Sequence, residues 1–214
     1  KLERFPALAA ELVARKVDVI VVADTPAALA AKQATRTLPI VFTAVGDPVT
    51  SGLVTSLARP GGNVTGSSNL NTELVGKRLE QLKQAVPGVS RVAVLWQPGA
   101  IGERTEKDRL KEAEVAARAL GVRPQIVEAR GPADVDRAFS DMTRARAGAL
   151  TVLPSNMFAN ERRRLVDLAA KNRLPAVYPF REFVDAGGLM SYGATLADLY
   201  RRSATYVDKI LKGR

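Results

Sequence analysis

From end to end the chain alternates short apolar, β-branched runs with segments whose apolar residues recur at helical spacing. The runs are Val17–Val22, Leu38–Thr43, Arg91–Trp96, Val122–Val127, Ala147–Leu153 and Leu174–Tyr178. Of these runs, Val17–Val22 is nearly all apolar and β-branched, as strands are when helices cover both faces of the sheet. Helical segments lie between them: residues 3–15 with Phe5, Leu8, Ala9, Leu12 and Val13 in one stripe, Asp24–Ala34, Thr72–Ala85, a segment capped by Thr105 and stopped by Gly121, Pro132–Ala145, and Phe158–Lys171. A final helix after Thr195 carries Leu196, Leu199, Val207, Ile210 and Leu211 on its inner face. Strict alternation of this kind means α/β architecture with parallel sheets flanked by helices.

One stretch divides the pattern. Leu57–Asn69 contains the Arg59-Pro60-Gly61-Gly62 turn, a short strand at Asn63-Val64-Thr65 and the polar run Ser67-Ser68-Asn69. Proline fixes φ and the glycine pair tolerates positive φ, so the chain turns sharply before it crosses over. The sequence therefore predicts two lobes: residues 1–67 with 193–214 returning to them, and residues 68–192. A short helix near Val49–Leu57, another near Arg181–Asp185, and a short strand Leu189–Ser191 complete the expectation.

Composition excludes several chemistries. The 214 residues contain no cysteine and no histidine. Disulfides, thiolate nucleophiles and Ser-His-Asp catalysis are therefore impossible within this chain. There is no Gly-x-Gly-x-x-Gly and no Walker-type loop, so no nucleotide cofactor is implied. No cofactor and no metal site is expected. The net charge of +10, from 32 Lys+Arg against 22 Asp+Glu, is scattered over positions such as Arg78, Lys83, Lys107 and Arg118, which read as a basic surface. The one run, Arg162-Arg163-Arg164, sits mid-helix without the aromatic interleaving of single-strand binders, so no nucleic-acid partner is expected. No apolar run reaches the roughly 18 residues of a membrane span.

In open α/β sheets ligands bind beyond the carboxyl ends of the strands. That rule selects Thr25, Asp47, Ser68, Asn69, Trp96, Ser155, Asn156, Tyr178 and Tyr192 as candidate ligand-binding residues. Hydroxyls, amides and aromatic rings suit a small polar molecule held without catalysis. The free N–H groups of the Asp24-Thr25-Pro26 helix start favour a carboxylate; the same residues also make a plain helix cap. Asp47 suits a ligand ammonium or a Gly-Asp-Pro turn. Trp96 and Tyr178 suit a ring stacked on a ligand or rim packing. Ser68 either looks into a cleft or bonds the crossing strand's backbone.

Several separated motifs resemble one family. Leu38-Pro39-Ile40-Val41-Phe42, Gly46-Asp47-Pro48 and Ala58-Arg59-Pro60-Gly61-Gly62-Asn63-Val64-Thr65-Gly66 are similar to the signature of ABC-importer substrate-binding proteins of the tryptophan/tyrosine type. Leu174-Pro175-Ala176-Val177-Tyr178, Gly187–Gly193 and Ile210-Leu211-Lys212-Gly213 resemble its C-terminal signature. The resemblance implies a two-lobed type 1 periplasmic-binding fold with a ligand in the interlobe cleft. It also implies an exported, extracytoplasmic protein, its signal peptide removed, that hands a small molecule to ABC permease subunits. An amino acid, aromatic by preference, is the ligand it favours. An effector-binding domain of a transcription regulator uses the same fold and is the alternative. Relative to the family pattern the chain begins after a strand-helix-strand and stops before a tail, so lobe one is expected to be incomplete.

Overall fold

The computed structural model describes residues 2–68 and 74–213. In chain order the elements are a 3₁₀ turn Leu2–Arg4, α1 Phe5–Ala14, β1 Ile20–Val22, α2 Thr25–Ala34, β2 Ile40–Val45, β3 Val64–Ser68, α3 Leu74–Ala85, β4 Arg91–Trp96 and α4 Glu103–Ala119. Then come β5 Arg123–Glu128, a 3₁₀ turn Pro132–Asp134, α5 Val135–Arg144, β6 Ala149–Val152, α6 Asn156–Asn160, α7 Arg162–Lys171, β7 Ala176–Tyr178, α8 Arg181–Val184, β8 Met190–Ser191 and α9 Leu196–Leu211. The architecture is α/β, with two parallel sheets flanked by helices. The chain forms two compact units: Lys1–Leu70 with Gly99–Thr105 and Leu196–Arg214, and Asn71–Pro98 with Glu106–Thr195.

The first unit holds a three-stranded parallel sheet in the order β1-β2-β3. The central strand β2 is apolar and buried at Ile40, Val41, Phe42 and Val45. These residues meet Ile20 of β1, Val64 of β3, and Ala28 and Ala31 of α2, while α9 packs on β2 and β3. Among the described residues β1 has one strand partner, β2, so Val21 is half exposed although its run is apolar on both faces. The stripe of α1 likewise buries Ala9 but leaves Leu8 and Leu12 more than one-third exposed. On α9, Leu199 and Ser203 are buried and Leu211 is exposed, which corrects its expected inward placement.

The carboxyl end of β2 is irregular. Pairing with β3 slips between Phe42 and Val45, and Ala44 there has φ +52. A non-glycine residue in the left-handed region costs energy and is held only by its surroundings. The slip depends on Gly66 opposite Phe42: a Cβ at Gly66 would lie 2.0 Å from the Phe42 carbonyl oxygen.

The expected helix near Val49–Leu57 does not form. Asp47 instead takes the backbone N–H groups of Val49 and Thr50 onto its own carboxylate, the Pro48 carbonyl accepts from Leu53 and Val54, and Gly52 adopts φ +73. The Asp47 carboxylate thus caps a single turn, closed by Ser51 N donating to the Asp47 carbonyl, and the left-handed Gly52 with the return of Leu53 and Val54 to the Pro48 carbonyl ends it there. The Arg59–Asn63 turn is also pinned: Thr55 Oγ1 donates to the carbonyls of Arg59 and Pro60, and Asn63 Nδ2 donates to Leu38 O at 2.7 Å.

The second unit holds a five-stranded parallel sheet in the order β5-β4-β6-β7-β8. Its core joins Val75, Leu79 and Leu82 of α3 to Val92 and Val94 of β4 and to Ala113 and Ala117 of α4. The fourth helix begins at Glu103, so Thr105 is a buried residue of its first turn and not its cap. The expected Phe158–Lys171 helix is two helices, α6 and α7, meeting at Glu161, whose ψ of 10 departs from helical geometry.

Candidate ligand-binding site

In the first unit, residues following β1, β2 and β3 are tied into a rigid rim. Asp24 caps α2: its Oδ1 accepts from the Ala27 N–H at 2.7 Å, and its carbonyl accepts from Ala28. The N–H groups expected to favour an external carboxylate are therefore already used. Thr25 is buried, and its Oγ1 accepts from the Gly46 N–H at 3.4 Å, linking the start of α2 to the loop after β2. Thr43 is fully buried at the slip in β2, and its hydroxyl has no partner among the described residues.

Asp47 lies in the same loop. Its Oδ1 accepts from Val49 N and Thr50 N, and its Oδ2 accepts from the Thr50 hydroxyl at 2.6 Å. Partial burial pushes its pKa up, but these three hydrogen bonds and the Arg104 cation outweigh burial and hold the carboxyl below its ordinary 3.8. The carboxylate is thus ionised and primarily a turn-former. Arg104, from the Gly99–Thr105 segment of this unit, is a cation that sequence spacing does not connect with Asp47. Ser68 ends β3, half-buried, opposite Val45. Asn69 lies outside the described residues.

In the second unit the candidates cluster after β4, β6, β7 and β8. Ser155 caps α6, accepting from Phe158 N at 3.2 Å, and its hydroxyl donates to Gln97 Oε1 just beyond β4. Gln97 Nε2 in turn donates to the Arg130 carbonyl. Asn156 follows as the first residue of α6, half-buried. Trp96 ends β4 half-buried and packs against the rim of the core, and its carbonyl accepts from Ala129 N.

Tyr178 has a structural task. Its ring stacks on Phe183 with centroids 4.7 Å apart and planes 10° from parallel. It is 1% exposed, and burial pushes its hydroxyl pKa up. A Cβ at Gly188 would lie 2.8 Å from the Tyr178 ring. That ring face is therefore spent inside the unit. Tyr192 is different: its N–H donates to the Tyr178 carbonyl at 3.0 Å while its side chain remains 36% exposed.

Arg78 corrects the picture of a scattered basic surface. It is 0% exposed on α3, and its Nε–H donates to the Tyr192 carbonyl. Arg109 on α4 is also buried. A signal for Arg78 was present: it falls at i+3 from Val75 and i+4 before Leu82, on the same stripe as the core residues.

A groove of about 570 Å³ lies elsewhere, lined by Arg36, Pro39, the Pro60–Asn63 turn and Ile210. Pro39 and Asn63 precede β2 and β3, so this groove is at the amino ends of the strands, opposite the end where α/β folds hold ligands. Among the described residues no group of three or more Asp or Glu side chains is arranged to hold a metal ion. No described helix is long and apolar enough to cross a membrane.

Parallel sheets flanked by helices, with polar and aromatic side chains gathered after the strands, define the type 1 periplasmic-binding class of fold. The match to a family model for ABC transporter substrate binding proteins runs over residues 2–214, and the chain belongs to that family. It is 28% identical over 207 residues to a tyrosine-binding protein of Clostridioides difficile, a match covering 97% of this chain and 58% of that protein. The chain thus spans less than two thirds of that relative's length. Among solved structures, a conserved domain protein of Vibrio cholerae is 29% identical with a TM-score of 0.88, covering all of this chain and 70% of that one. An ABC domain from Streptococcus pneumoniae in complex with L-Trp is 26% identical with a TM-score of 0.86 and the same coverage.

Proposed function

We propose that the chain is the solute-binding component of an ABC importer, acts outside the cytoplasm, and binds an aromatic amino acid without transforming it. The observation that carries this reading is the family match over residues 2–214, joined to relatives that bind tyrosine and L-Trp. The chemistry after the strands supports it. Asp47 is held ionised, as an ammonium partner must be, and Trp96 and Tyr192 keep ring surface accessible. Ser68, Asn69, Ser155 and Asn156 add hydroxyl and amide groups, and Thr25 and Tyr178 serve the site by bracing it. The permease reads the ligand-bound state. No His, Cys or nucleotide loop offers an alternative catalytic role. The fold alone would also suit a regulator's effector domain, but family membership favours the transport reading.

Calorimetric titration with L-tyrosine and L-tryptophan tests this. Micromolar dissociation constants, about −8 kcal/mol, are expected for at least one of them. If neither binds and neither raises the melting temperature, the aromatic amino-acid reading fails.

A further inference from the structure

Arg78 is a buried cation whose chemistry is unfinished. Its Nε–H donates to the Tyr192 carbonyl at 2.8 Å. Its terminal nitrogens, Nη1 and Nη2, are buried and have no hydrogen-bond partner among the described residues. The residue as a whole is 0% exposed. Buried charges are normally paired, and guanidinium groups normally satisfy most of their donors.

The surroundings make the deficit sharper. Arg109 adds a second positive charge near Arg78, and Glu112 on the same helix as Arg109 opposes it. Burial, with repulsion from Arg109, pushes the Arg78 pKa down to about 9, against the pull of Glu112. The guanidinium still carries its charge at neutral pH. Beside it runs the backbone of Tyr192-Gly193, which packs closely there: a Cβ at Gly193 would come 3.5 Å from Nη2 and 2.2 Å from the Pro179 carbonyl oxygen, so only glycine lets the main chain lie against the guanidinium.

We propose that the Nη1/Nη2 edge of Arg78 is an anion-binding group that takes the carboxylate of a small organic acid or α-amino acid, presented beside Tyr192-Gly193. With Nε engaged by the Tyr192 carbonyl, the edge left over is the one that receives a carboxylate end-on with two parallel hydrogen bonds. A lysine could supply the charge there but not the fork. The proposal rests on the reading of the chain as a small-molecule binder, and it supplies that reading with the carboxylate partner that the capped start of α2 does not provide.

The test follows the Arg78 Nε–H by nitrogen-15 NMR, assigned through its own backbone so that the readout needs no variant to fold. The probes are L-tryptophan, tryptamine, which lacks the carboxylate, and benzoate, which lacks the ammonium. L-tryptophan and benzoate are expected to shift the Arg78 signal, and tryptamine to leave it in place. In parallel, Arg78→Gln and Arg78→Lys are titrated; a preference of tenfold or more for L-tryptophan over tryptamine should collapse in Arg78→Gln and fall partly in Arg78→Lys. If L-tryptophan binds while the Arg78 signal stays put and Arg78→Gln keeps the preference, the proposal is overturned and the amino-acid reading stands. If L-tryptophan does not bind but benzoate moves the signal, the anion site stands and the amino-acid reading falls. If no carboxylate moves the signal at millimolar concentration, the proposal is overturned irrespective of any variant.

Discussion

The Nε–H of Arg78 on α3 donates to the main-chain carbonyl of Tyr192, 114 residues further along the chain. The Tyr192 N–H is itself bonded to the Tyr178 carbonyl, so the backbone after β8 is held from both sides. A partly exposed tyrosine ring is thereby carried on a fixed stretch of main chain, which lowers the ordering cost of any contact it makes with a ligand.

Gly66→Ala should destabilise the first unit strongly. The added methyl would meet the Phe42 carbonyl 2.0 Å away, in the strand pair where the register slips. A loss of about 2–4 kcal/mol is expected from such a backbone clash, read as a lower urea midpoint. A wild-type midpoint would show that β2 and β3 are spaced more widely than described.

Asp47→Ala should cost about 1 kcal/mol through the lost turn hydrogen bonds, even without ligand. The pH dependence has a defined sign. The folded pKa lies below its ordinary 3.8, so the carboxylate's contribution is present at neutral pH and disappears as pH falls through that lowered pKa. Asp47→Asn should flatten this part of the acid limb in a stability-against-pH series; an unchanged limb would place the acid sensitivity elsewhere.

Tyr178→Ala should remove the stack on Phe183 and open a cavity in the second unit, at a cost of about 3–5 kcal/mol. If Tyr178 were instead mainly a ligand contact, the variant would lose affinity while keeping its unfolding midpoint. Calorimetric binding and urea unfolding on the same sample separate the two.

Alkaline titration should show one late tyrosine. The chain has four, at 178, 192, 200 and 206, and burial raises the Tyr178 pKa. Its raised folded pKa gives a stability contribution that is complete below the unfolded value of about 10 and shrinks as pH rises above it. In absorbance at 295 nm the Tyr178 contribution should appear only as the protein unfolds. Its appearance while the fold is intact would contradict the burial of Tyr178.

Ser155→Ala removes both the α6 cap and the hydroxyl donated to Gln97, and should cost about 1 kcal/mol. Ser155→Thr should recover most of it. Equal stability of all three forms, measured by thermal unfolding, would show that α6 is capped by other groups.

Much of the architecture was legible because its signals are local. The Val92–Leu95 run is buried on both faces as its composition demands, and the Pro60-Gly61-Gly62 turn forms where φ constraints put it. Legibility failed where two local preferences compete. At Val49–Leu57 the Asp47 carboxylate caps one turn as a helix start would, yet Gly52 turns left-handed and the chain bends back to the Pro48 carbonyl. Where the turn stops depends on that glycine and those backbone bonds, which periodicity does not encode.

The candidate site shows the same division. Hydrophobic period and turn chemistry determined the order of strands and helices, and with it the residues that follow each strand. Tertiary structure alone decided what those residues do. It turned the Tyr178 ring onto Phe183 and spent the Asp24 carboxylate on its own helix. It also placed Arg78, one of many cations in the sequence, inside the core stripe of α3 beside Tyr192. The reason is physical: a side chain's period fixes its face, but its charge partners and its desolvation come from residues far away in sequence.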